Sequence, residues 1–149
     1  MLKLRTDSQC QFHPSGVRRE KLIPMRKQYN FWPGKHGLDA WDVDRLIELS
    51  ADFPILDFPI EDIREIDTPY WSIGNNSKLT ARDFADHFKL MIEVDLNYPV
   101  ILNVDGRVMD GMHRIVKALA AGHKTIRAVR FEYQPEPDFI DCDPERLPY

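Results

Sequence analysis

Cysteine is scarce in this chain: Cys10 and Cys142 stand alone in 149 residues. Two distant thiols make neither a disulfide scaffold nor metal-ligand spacing, so both are expected to be free. Long apolar runs are also missing, and no segment approaches the roughly 20 apolar residues that span a bilayer. Met1-Leu2-Lys3-Leu4-Arg5 runs into polar Thr6, Asp7 and Ser8 instead of an apolar stretch, which argues against a secretory leader. No membrane partner and a cytoplasmic location are therefore expected. No internal repeat is visible. What is present is ordinary for a globular domain: 43% hydrophobic and 30% charged residues, in a chain long enough for one sizeable core.

The net charge of −4 hides an uneven distribution. Residues 1–35 carry eight basic and two acidic side chains, a balance of +6, which leaves −10 on the remainder. Any affinity for nucleic acid would have to come from the N-terminal arm, and eight charges spread along it do not form a compact patch, so such binding is expected to be weak. Residues 1–38 contain Pro14, Pro24, Pro33 and three glycines and show no sustained period, and they are read as an extended arm. Ile23, Met25, Tyr29, Phe31 and Trp32 are too apolar for a free tail, so the arm is expected to lie along the domain surface or to make a homodimer contact.

Periodicity and turn chemistry outline residues 39–133 as the domain. Asp42 to Ala51 reads as a short helix with Asp39 or Asp42 as its cap, and Leu56 to Ile63 as an edge or first strand containing Pro59. Ile66 to Lys78 reads as a loop able to cover a ligand, with Tyr70 and Trp71 as candidate stacking residues. Thr80-x-x-Asp83 is a capping-box variant opening a helix whose stripe Phe84, Phe88, Met91 and Ile92 is expected to be core. His87, beside that stripe, reads as a half-buried residue. Pro99 to Val104 is a strand, Asp105-Gly106 a hairpin turn, and Arg107-Val108-Met109 a second short strand. A helix follows to Gly122, then a strand from Thr125 to Phe131. Residues 134–149, with four prolines and five acidic residues, read as an irregular acidic tail.

The chemistry concentrates in Asp110-Gly111-Met112-His113-Arg114, between the hairpin and a helix. The free N–H groups of a helix's first turn, backed by the peptide dipoles, favour an anion. Gly111 allows close backbone approach. Arg114 offers a fork matched to phosphate oxygens, and His113 a charge that changes near neutral pH. Asp110 is repulsive beside an anion unless it holds a metal, takes a proton or orients a basic neighbour. The alternative is a plain α/β turn in which Arg114 is solvated and His113 caps or packs. Lys117, a turn further on, either extends the anion site or is solvated.

The order strand, capped helix, Tyr98-Pro99-Val100-Ile101-Leu102, Asp105-Gly106 hairpin, Asp110-Gly111-x-His113-Arg114, helix, Gly122 and strand resembles the ParB N-terminal/sulfiredoxin-like superfamily over residues 56–131. The resemblance implies an α/β (α+β) fold with a small mixed sheet packed against helices. It also implies a nucleotide, ATP, ADP or CTP, whose phosphates lie at Gly111, Met112, His113, Arg114 and Lys117, with Mg²⁺ on Asp110. Sulfiredoxins carry their catalytic cysteine where this chain has Met112, so reductase chemistry lacks its nucleophile. ParB proteins carry Gly-Glu-Arg-Arg-x-Arg, of which Met112 and Val116 leave the Glu and the last Arg unmatched. The Asp-Gly-x-His-Arg form looks most like kinase-like members, which implies phosphoryl transfer to an unidentified acceptor or nucleotide hydrolysis. Asp110 and His113 would then be catalytic, with Glu61, or Asp62 or Glu65, as a second carboxylate. The rival function is a non-catalytic nucleotide-sensing or DNA-associated binding module.

Overall fold

A computed structural model describes residues 27–72 and 79–149. Cys10, most of the basic arm with its expected dimer contact, and the Gly74-Asn75-Asn76 part of the loop lie outside the described residues. The described chain is α+β, with two small sheets and three α-helices.

The larger sheet contains β3 (Leu56–Pro59), β4 (Val100–Leu102), β5 (Val108–Asp110) and β6 (Thr125–Arg130), in the order β3-β6-β4-β5. β4 and β6 run parallel, while β3–β6 and β4–β5 are antiparallel, so the sheet is mixed. The parallel pair requires a crossover, supplied by α3 (Met112–Ala120). Strand alternation sends Val100 and Leu102 to one face, where they pack with Ile60, Ile63, Met112, Ile115, Ala118 and Ile126. Ile101 points to the other face and packs with Trp41, Leu46, Met109, Val129 and Phe131.

That second core is closed by residues the sequence left without regular structure. β1 (Tyr29–Pro33), β2 (Leu38–Asp42) and β7 (Phe139–Cys142) form an antiparallel sheet in the order β1-β2-β7, followed directly by α1 (Val43–Leu49). The end of the expected arm is thus a hairpin, and part of the expected irregular tail is a strand. Trp41 is buried there, its indole N–H donating to the Pro135 carbonyl at 2.8 Å.

Local signals behave as their chemistry dictates. Asp42 caps α1 through the Asp44 N–H at 3.0 Å. Thr80 and Asp83 complete a reciprocal capping box on α2 (Ala81–Glu93). Gly106 and Gly122 adopt the positive φ their turns require. Two expectations need correction. The strand from Leu56 stops at Pro59, which has no N–H to continue a ladder, and a 3₁₀ turn (Ile60–Asp62) follows, sending Ile60 and Ile63 into the core. The α2 stripe is not core: α2 has no buried residue, and Phe84, Phe88 and Ile92 are 64%, 50% and 61% exposed. α2 docks on α3 by an adjacent edge, where His87, Met91 and Val94 are half-buried.

Candidate functional site

α3 begins where β5 delivers Asp110 to the end of the sheet. Gly111 occupies the cap position in a left-handed conformation, φ 106°, and supplies no side chain to the first turn. No side-chain cap replaces it, so the N–H groups of Met112, His113 and Arg114 lack the partners that Asp42 and Thr80 give to α1 and α2. A Cβ on Gly111 would lie 2.7 Å from Val100 Cγ1 and 2.8 Å from Arg114 Nη2. The bare glycine is what allows Arg114 to fold back across the turn. There its Nη2 donates to Asp110 Oδ2 at 2.6 Å, with both side chains more than four-fifths buried, while its Nε is buried without a partner among the described residues.

His113 leaves the same turn in the direction of α2. Its Nε2 lies 2.9 Å from His87 Nδ1, so in the neutral pair one ring donates to the other. Trp71 lies nearly parallel to both imidazoles, with centroids 4.2 Å from His87 and 5.0 Å from His113. Burial, then the neighbouring His87, pushes the His113 pKa below its ordinary value, against the pull of Asp110. Beside Trp71, the Tyr70 hydroxyl is pushed up to about 12, chiefly by burial and further by Glu65 and Asp110, so it remains protonated. Glu65 accepts from the Val108 N–H through Oε1 at 2.8 Å, and its Oε2 is buried without a partner among the described residues.

The structure gathers Asp110, Gly111, His113 and Arg114 at one helix start and separates the other candidates from them. The Met112 side chain is 5% exposed and belongs to the core, leaving only its backbone N–H to face a ligand. Lys117 donates to the carbonyls of Ile92 and Val94 at 3.0 and 2.6 Å, where it caps the C-terminal end of α2. Glu61 is exposed on the 3₁₀ turn, and no hydrogen bond or ion pair joins it to the motif. Asp110 is engaged by Arg114, and among the described residues no group of three or more His, Cys, Asp or Glu could hold a metal.

Sequence reasoning did not find the pairing of His87 with His113, which joins residues 26 positions apart from different helices. Nor did it single out Asn30, whose buried Nδ2 has no partner among the described residues. Among the described residues no helix is long and apolar enough to cross a membrane. Comparison of the chain with protein-family models, with curated proteins and with solved structures returns no match.

Proposed function

We propose that this protein binds a nucleotide by its phosphates at the first turn of α3 and transfers or hydrolyses a phosphoryl group there. The observation that carries the reading is the uncapped helix start at Gly111, with Arg114 held over it by Asp110. Free first-turn N–H groups and an adjacent guanidinium form an anion site. Asp110 fixes the orientation of Arg114, and the buried Nε of Arg114 is a donor still without an acceptor. His113, whose pKa is pushed down by burial and by the neighbouring His87, would take a proton from an attacking hydroxyl or water and pass it along the pair. Trp71 covers that pair on one face. The resemblance to the ParB N-terminal/sulfiredoxin-like superfamily, with its Asp-Gly-x-His-Arg motif, supports the same chemistry.

One observation favours a second reading, a nucleotide sensor without turnover: the carboxylate nearest the phosphate site is already committed to an arginine. Calorimetry with ATP and CTP, paired with a turnover assay, separates the two. Arg114→Ala is expected to weaken nucleotide binding by about 1.5–3 kcal/mol, the value of hydrogen bonds to a charged group, with the fold intact. Equal affinity of wild type and Arg114→Ala would remove the phosphate site. Tight binding with no turnover on any acceptor would select the sensor.

A further inference from the structure

Little apolar surface holds α2 to the rest of the molecule. It has no buried residue, contributes none to either core, and packs on α3 by one edge. Polar contacts cross that edge: the His87 Nδ1–His113 Nε2 bond at 2.9 Å and the Lys117 bonds to the Ile92 and Val94 carbonyls. Trp71 lies over both imidazoles, whose own centroids are 5.2 Å apart. A helix of 13 residues is marginal in water on its own, so the backbone hydrogen bonds of α2 depend on its docking. An element with so few buried contacts opens locally at a lower free energy than the whole fold.

The pair distinguishes one added proton from two. When both rings are neutral, the N–H of one meets the lone pair of the other. A first added proton goes to an outward nitrogen, His87 Nε2 or His113 Nδ1, and the bond survives as imidazolium donating to imidazole under the face of Trp71. A second leaves an N–H on each side of the 2.9 Å gap with no lone pair between them, and sets two positive charges side by side. The surrounding groups do not offset them. Asp83 of α2 and Asp110 before α3 act on the rings, but Asp83 is committed to the Thr80 cap and Asp110 to Arg114. Lys117 is directed to the end of α2, Asp86 and Lys89 are exposed, and Tyr70, on which Glu65 acts, stays protonated.

We propose that the His87–His113 pair is a proton-operated latch: α2 stays on α3 while the pair carries at most one added proton, and leaves it when both imidazoles are charged in mildly acid solution. Freed imidazoles titrate near about 6.5 and take two protons where the docked pair holds one, so docking is complete above that pH and weakens as the pH falls below it. The low pKa of docked His113 agrees with this sign. The sheet-facing core contains α3 and no residue of α2, so α3 and β4 stay folded when the latch opens. Opening frees His113 and Trp71, and the start of α3 is then uncovered on that side. The inference does not depend on the nucleotide reading.

The test is amide hydrogen exchange of the full chain by NMR at pH 7.5 and 5.5, corrected for the intrinsic effect of pH on exchange. Wild type is expected to lose about tenfold or more of its protection across α2, while Ile115 in α3 and Val100 and Leu102 in β4 keep theirs. His87→Gln and His113→Gln each leave one titrating ring and an amide able to bond it. Each is expected to cut the loss to about threefold, the share of one proton instead of two. No loss at α2 in wild type, an equal loss at α2, Ile115 and Val100, or the full wild-type loss in either folded variant would each overturn the proposal. Should neither variant fold, the ring-proton titration of wild type decides: His87 and His113 both charged while α2 keeps its protection overturns the latch, and charging of the second ring in step with the loss of protection supports it.

Discussion

His113 carries a pH dependence whose sign follows from its surroundings. Its folded pKa lies below the ordinary 6.5, so the unfolded chain binds the proton more readily. Stability that is fully present above about 6.5 is therefore lost as the pH falls through that value toward the folded pKa. Urea midpoints measured between pH 7.5 and 5 should decline for wild type and decline less for His113→Gln; identical slopes would contradict the assignment. At this scale the grouping was legible because Asp110, Gly111, His113 and Arg114 lie within one turn of chain. Arg114 reaches Asp110 four residues back, a spacing that any helix start offers. The His87 partner was not legible, since nothing in its neighbourhood on α2 distinguishes a paired imidazole from a packed one. That pairing is created only when α2 settles on α3.

Among the elements, α2 departs furthest from expectation, and the reason is physical. An amphipathic pattern states that a face is apolar, not what covers it. The edge that docks on α3 carries the His87–His113 bond and the Lys117 bonds to Ile92 and Val94 beside half-buried Met91 and Val94, and with that edge docked Phe84 and Phe88 face outward. Phe84→Ser is accordingly expected to cost less than about 0.5 kcal/mol in urea unfolding, as an exposed substitution does. Ile115→Ala, fully buried on the sheet-facing side of α3, is expected to cost about 2–5 kcal/mol. A large loss at Phe84 would show that the stripe is buried in solution. The capping box at Thr80, the Asp105-Gly106 hairpin and the Gly122 stop were all legible, because each is written in a few adjacent residues. The β1–β2–β7 sheet was not: its outer strands β1 and β7 lie about a hundred positions apart, and Pro-rich neighbours mask both.

Across the whole molecule, the two sheets depend on different parts of the chain. Removing residues 135–149 would take away β7, the Pro135 carbonyl that receives the Trp41 indole, and Asp138, which accepts from the Asp42 N–H at 2.8 Å and pairs with Arg45 at 3.0 Å. Hydrogen exchange on that truncation should show Ala40 and Trp41 exposed while Val100 and Ile115 stay protected; uniform loss of protection would mean that the molecule has one indivisible core. The arrangement also sets an order of events during synthesis. β2 is the middle strand of its sheet, yet one of its two neighbours, β7, leaves the ribosome about a hundred residues after it. Until then the nascent chain presents an open strand edge next to unburied Trp41, a template onto which a second nascent chain can add. The closing strand thus also covers an edge open to aggregation, and its lateness leaves that edge uncovered until residue 142 has been made.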